Sequence, residues 1–139
     1  MKSPNRLCLI GSASLLTLLL AAQAKAAQPC THDARYERKD GSYISVGMPT
    51  ESADGLARAH FEQQALGNMV MGAPTVGRLE GELTLTRDSC AGYFTDPAIA
   101  CTLIITFAGN RAQAYQIGPC YSGAGAYADG IYFKAKERK

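Results

Sequence analysis

Apolar and polar residues alternate with period two along much of this chain, most clearly from Cys101 to Cys120. Cys101, Leu103, Ile105 and Phe107 fall on one face, with Thr102, Ile104 and Thr106 on the other. Such β-branched and aromatic side chains pack well on a pleated surface, so the stretch predicts a strand. Gly109-Asn110 supplies a two-residue turn that tolerates positive φ, and Arg111–Gly118 returns as the second strand. Pro119 lacks an N–H for the ladder and closes the hairpin. A second hairpin is predicted over Arg35–Met48, turning at Lys39-Asp40-Gly41-Ser42, with Ile44, Val46 and Met48 on its apolar face. Leu79, Gly81, Leu83 and Leu85 alternate with Glu80, Glu82, Thr84 and Thr86, which predicts a half-buried strand with a bulge or bend at Gly81. In the last strand Tyr127, Asp129, Ile131 and Phe133 lie opposite Ala128, Gly130, Tyr132 and Lys134.

One segment departs from this period. Thr50–Asp54 is rich in helix-capping oxygens, with Ser52 or Thr50 as N-cap, and Leu56, Ala59, His60, Gln63 and Leu66 then follow helical spacing. The expectation is one short helix ending at Gly67-Asn68. Residues 67–78 are glycine-rich and apolar and fit either a buried strand or a loop, and Arg87–Ala100 is expected as a loop. About six strands with closely spaced turns and one helix predict a mainly β fold, a small antiparallel barrel or sandwich.

The N-terminus changes the picture of compartment and charge. Lys2 and Arg6 precede an apolar, leucine-rich run from Leu7 to Ala22, and Ala24-Lys25-Ala26 has the form that a signal peptidase accepts. Residues 1–26 are therefore expected to be a removed export signal, and 27–139 a single exported β-rich domain, periplasmic or secreted. The run is too short for a stable membrane anchor, and Pro29 before Cys30 argues against lipidation. Of fourteen basic residues three leave with the leader, so eleven face twelve acidic ones. A chain so balanced lacks the dense basic field that nucleic-acid binding needs.

Cys8 leaves with the leader, and Cys30, Cys90, Cys101 and Cys120 remain, an even set that predicts two disulfides. Across a two-residue turn Cys101 faces Gly118 rather than Cys120. That favours Cys90–Cys101 with Cys30–Cys120, and Cys101–Cys120 with Cys30–Cys90 is the alternative. Zinc is not expected, because there is no CxxC pair and His32 and His60 are the only histidines.

No nucleophile elbow, HExxH or phosphate-binding loop is present, so no catalytic residue, cofactor or enzyme activity is expected. Glu80 and Glu82 share one strand face, as carboxylates on a wet face commonly do. The block Cys120-Tyr121-Ser122-Gly123-Ala124-Gly125-Ala126-Tyr127, with its following strand and Lys134, resembles the signature of periplasmic inhibitors of c-type lysozymes. Those inhibitors are small exported barrels whose Ser/Gly loop enters the lysozyme cleft and meets its catalytic carboxylates. The resemblance covers about 20 residues, places Tyr127 one residue late and lacks the family's tryptophan. It implies partner binding by Ser122 and Lys134. Two other functions fit the same domain. One is a carrier with an internal pocket on the order of several hundred Å³, lined by Met69-Val70-Met71 and tyrosines. The other is an accessory or immunity-type protein-binding module.

Overall fold

The computed structural model describes Cys30, residues 33–121 and residues 125–136. The expected leader at 1–26 and His32 lie outside these residues. Nine strands follow in chain order: β1 (Ala34–Glu37), β2 (Tyr43–Val46), β3 (Thr50–Glu51), β4 (Ala57–Val70), β5 (Ala73–Leu85), β6 (Ala91–Asp96), β7 (Cys101–Ala108), β8 (Arg111–Ile117) and β9 (Gly130–Lys134). They pair antiparallel in the order β2-β1-β9-β8-β7-β6-β5-β4-β3, and β2 also pairs with β4. That pairing closes eight strands into a barrel and leaves the two-residue β3 as an appendage on β4.

The predicted alternation decides what fills the barrel. Cys101, Leu103, Ile105 and Phe107 of β7 all point inward, and Ala112 and Ala114 of β8 make room for larger partners. Tyr36, Ile44, Phe61, Leu83 and Tyr132 occupy the centre with no exposure. Each such side chain contributes on the order of 1.5–3 kcal/mol by leaving water. The β7–β8 hairpin turns at Gly109-Asn110 with Ala108 opposite Arg111, and Gly109 takes the positive φ. Within Arg35–Met48, Ile44 and Val46 are buried as expected, while Met48 stands 72% exposed beyond the end of β2.

The expected helix is not there. Residues 57–66 belong to β4, a strand of fourteen residues. Ala59, Phe61, Gln63 and Ala65 are buried while Arg58, His60, Glu62 and Gln64 point outward, so the operative period is two. Alanine, glutamate, glutamine and leucine favour helix intrinsically, but partners on both sides, β2 and β5, override that preference. Among the described residues the helical element is one 3₁₀ turn, Pro97–Ile99. Asp96 accepts the Ala98 amide at 3.0 Å and caps it.

Residues 67–78 form the far half of the β4–β5 hairpin. Met71 and Gly72, both at positive φ, make its turn as a primed turn requires. Met69, Val70 and Met71 stand in solvent at this tip rather than in the core. The register slips between Leu66 and Met69 but runs straight through Gly81, so the irregularity expected at Gly81 lies on β4 instead. Gly81 is small for another reason: a Cβ there would come within 2.9 Å of the Phe94 ring, which stacks edge-on against Phe61.

Candidate functional site

The described limbs of the connection from β8 to β9, residues 118–121 and 125–129, lie at one mouth of the barrel, and both are anchored. At the end of β8 Gly118 adopts φ +84, where a Cβ would lie 2.0 Å from the Ala100 carbonyl oxygen. This bend folds the chain back, and the Cys120 amide donates to the Gly118 carbonyl at 3.0 Å. Cys120 therefore reaches Cys101, and the disulfides are Cys101–Cys120 and Cys30–Cys90. The favoured connectivity was wrong for a local reason. Cys101 does stand level with Gly118, as the hairpin register requires. A straight continuation of β8 would carry Cys120 past Cys101, whereas the left-handed Gly118 reverses the chain. Cys30–Cys90 ties the N-terminal end of the domain to the β5–β6 turn.

Tyr121 follows the disulfide and plunges into the barrel across Gly77, where a Cβ would sit 2.4 Å from its ring. Its hydroxyl donates to Gln63 Oε1, Gln63 Nε2 donates to the Tyr132 hydroxyl at 3.2 Å, and that hydroxyl donates to the Ala128 carbonyl at 2.7 Å. A buried relay thus joins the outgoing limb at Tyr121 to the returning limb at Ala128. Gln63 is wholly buried, and both ends of its amide are satisfied. Burial pushes the phenol pKa values of Tyr121 and Tyr132 upward, so both remain hydrogen-bond donors.

Gln116, on the same face of β8 as the buried Ala112 and Ala114, clamps the same two limbs. Its Nε2 donates to the Gly118 carbonyl at 3.0 Å, and its Oε1 accepts the Ala128 amide at 3.0 Å. Its own amide donates to Asp129 Oδ1 at 2.8 Å. Arg38, from the β1–β2 turn, donates to the Asp129 carbonyl at 2.7 Å and to Ser42 Oγ at 3.0 Å, with its guanidinium 5.2 Å over the Tyr132 ring. It also pairs with Asp40 at 2.5 Å and holds that carboxyl down at about 2.

Ser122 lies outside the described residues, but its neighbours are placed: Tyr121 against Gly77 of β5, and Gly125 against the Asn68 side chain of β4. Lys134 is not brought to this mouth. It ends β9 opposite Tyr36, with its amide donating to the Asn110 carbonyl at 2.7 Å. From Gly130, near the loop, four strand steps carry it about 13 Å away. There it lines a shallow groove of about 430 Å³ with Arg35, Glu37 and Lys136. Glu80 and Glu82 are exposed on the outer face of β5, Glu80 lying 3.6 Å from His60 Nε2. Sequence reasoning missed Arg38, Gln63, Gln116 and Tyr132 as loop anchors. Gln63 carried a usable signal, an amide at an inward position, once β4 is read with period two.

Comparison of the chain with family models, with characterised proteins and with solved structures returns no match.

Proposed function

We propose that this protein is an exported binding protein that presents the β8–β9 loop to a protein partner, and that the partner is a lysozyme-type wall hydrolase. The observation that carries it is the anchoring of the loop. A disulfide, a buried tyrosine relay and the Gln116 clamp fix both limbs on a filled barrel. Holding the limbs in this way lowers their share of the ordering cost that a docking loop meets on binding. Two disulfides suit an oxidising, exported compartment. A hydrolase of this type works through paired carboxylates, and a serine hydroxyl on a loop of small residues is a suitable donor to them. Lys134, at the other mouth, takes a secondary place in this proposal. The carrier alternative calls for an internal cavity. The barrel's centre is instead filled by Tyr36, Phe61, Leu103, Ile105 and Tyr132, and the two larger grooves among the described residues are partly open to solvent rather than enclosed at that centre.

The test is inhibition of c-type lysozyme on bacterial walls by purified mature protein. Ser122→Ala is expected to weaken inhibition at least several-fold at unchanged melting temperature, and Lys134→Ala to weaken it less. Full lysozyme activity at micromolar wild-type protein would refute the hydrolase assignment.

A further inference from the structure

β5 and β6 pair at Thr84 with Tyr93 and at Leu85 with Gly92, and beyond these residues they diverge. The wedge between them is a groove of about 400 Å³, within the size range of small-ligand sites. Arg78 and Glu80 of β5 line one side, and Phe94, Asp96, Ile99 and Tyr121 line the other. Its floor is apolar. The Phe94 ring lies over Gly81, the Tyr121 ring lies over Gly77, and the buried Leu79 sits between those two glycines in the strand. Along a strand, successive residues aim their N–H and C=O groups at opposite neighbours. The Gly47 amide donates to the His60 carbonyl at 2.9 Å, so even-numbered residues of β4 serve β2 and odd-numbered ones serve β5. Their β5 partners are also odd-numbered, Leu79 opposite Gln63 and Gly81 opposite Phe61. The main-chain groups of Arg78 and Glu80 therefore point into the groove, where among the described residues no strand pairs with them.

We propose that this groove binds a tripeptide with free termini, laid antiparallel to β5. Main-chain donors and acceptors at strand spacing are matched by a peptide backbone, which carries the same groups at the same repeat. Charge fixes the direction. Antiparallel, the first peptide residue stands opposite Glu80 and the last opposite Arg78. The terminal ammonium then donates to the Glu80 carbonyl beside the Glu80 carboxylate, and the terminal carboxylate accepts the Arg78 amide within reach of the guanidinium. A reversed peptide would bring its ammonium to the arginine and its carboxylate to the glutamate. Asp96 supports the same direction, because a continued β5–β6 register sets it level with Gly81, at the ammonium end. The separation of Arg78 and Glu80 sets the length, since a longer peptide carries one terminus past its partner. The middle residue stands opposite Leu79 and turns its side chain inward against Phe94 and Tyr121, so a small apolar residue fits there. The outer two side chains point to solvent, as those of Arg78 and Glu80 do. A tripeptide in this place stops short of the Thr84–Tyr93 pairing and leaves β6 where it is. The site is built on β5 and β6 and needs nothing of Ser122, so this inference and the hydrolase reading stand or fall separately.

Calorimetric titration of the mature protein with Ala-Ala-Ala is the experiment, with ¹⁵N amide spectra to locate the bound peptide. A one-to-one complex with a dissociation constant of roughly 20–300 μM is expected for so small a ligand, and the largest shifts should fall on the Arg78 and Glu80 amides. Amidating the peptide's C-terminus removes the carboxylate and is expected to weaken binding about tenfold. Arg78→Gln is expected to weaken binding of the free acid by about the same factor, and then free and amidated peptides should bind alike to within about twofold. Its melting temperature should be unchanged, because the arginine is exposed. Ala-Asp-Ala, which sets a charge on the apolar floor, is expected to bind at least about fivefold more weakly than Ala-Ala-Ala. The proposal would be overturned by absence of binding at about 5 mM peptide, or by shifts confined to residues away from the groove. An amidation penalty that is missing in the wild type or persists in Arg78→Gln, or equal binding of Ala-Asp-Ala, would overturn it as well.

Discussion

Two hairpins of this barrel, β7–β8 and β4–β5, are held in place by different means. β7–β8 is short, eight and seven residues, and both outer edges are paired, with β6 and with β9. Its inward positions are buried along the length of β7, and a disulfide closes its open end. β4–β5 is nearly twice as long, fourteen and thirteen residues, and only its root lies in the barrel. Past Leu66 and Gly77 it runs out beyond the closed wall to an exposed, uncharged tip around Met71. The first hairpin is specified by its own residues. The second is specified by what it touches: β2 and β6 at the root, and Tyr121 and Gly125 on the inner side of the projection.

The largest expected effect comes from breaking the root of the longer hairpin. Phe61 is fully buried and stacks on Phe94 at 5.0 Å between ring centres. Phe61→Ala should cost about 3–5 kcal/mol, as much as or more than Leu103→Ala in β7. Met71→Ala at the tip should change stability by less than about 0.5 kcal/mol. Urea midpoints of the three variants check this. A Phe61 variant as stable as wild type would show that β4 is not part of the core.

The same contrast explains what was legible in the sequence. Cys101–Phe107 reads correctly because β-branched residues, period two and a Gly-Asn turn all agree with the final structure. In β4 they conflict. Ala, Glu, Gln and Leu fit a helix, and the capping oxygens at 50–54 instead serve short-range turns, such as the Leu56 amide on Asp54. The partners of Gln63 that decide the matter, Ile44 and Leu79, stand 19 residues before it and 16 after it in the chain. The candidate site divides in the same way. A glycine-rich connection between the last two strands was readable from residues 121–127. Its anchors Gln63 and Arg38 were not, because both come from far earlier in the chain. Spacing alone also could not show that Lys134 and the loop lie at opposite ends of β9.

The next effect tests whether the short hairpin needs its staple. The Cys101–Cys120 disulfide closes a loop with a sequence separation of 19. Restriction of the unfolded chain predicts a contribution of about 3 kcal/mol for a loop of that size. Replacing both cysteines by alanine should lower stability by that order and also loosen the loop limb that begins at Cys120. Hydrogen exchange should then rise at Tyr121 and Ala128 while the root of β4–β5 stays protected. Equal protection across both regions would mean that the Tyr121–Gln63–Tyr132 relay suffices without the disulfide.

The smallest effect should be a gain, and it addresses the conflict in β4 directly. Gln64 points outward from β4, opposite Tyr43 of β2 on one side and Arg78 of β5 on the other. Glutamine is a helix former that contributes little to a pleated surface, whereas valine is stiff at χ1 and suited to it. Gln64→Val also sets a β-branched side chain directly across from an aromatic one, a favourable cross-strand pair. The hydrogen bond from Tyr43 to Glu62 belongs to the neighbouring outward position and is left intact. The expected result is a stabilisation of about 0.2–1 kcal/mol, read as a higher urea midpoint at unchanged slope. The corresponding change in β7–β8, Gln113→Val, removes a similar outward glutamine from a hairpin whose local and tertiary signals already agree. It should add less, because β-propensity and partners there already favour the strand. If Gln64→Val instead destabilised the protein by a comparable amount, intrinsic propensity would not be what opposes β4. The cause of the misleading helical pattern would then lie in the packing around Tyr43 and Arg78.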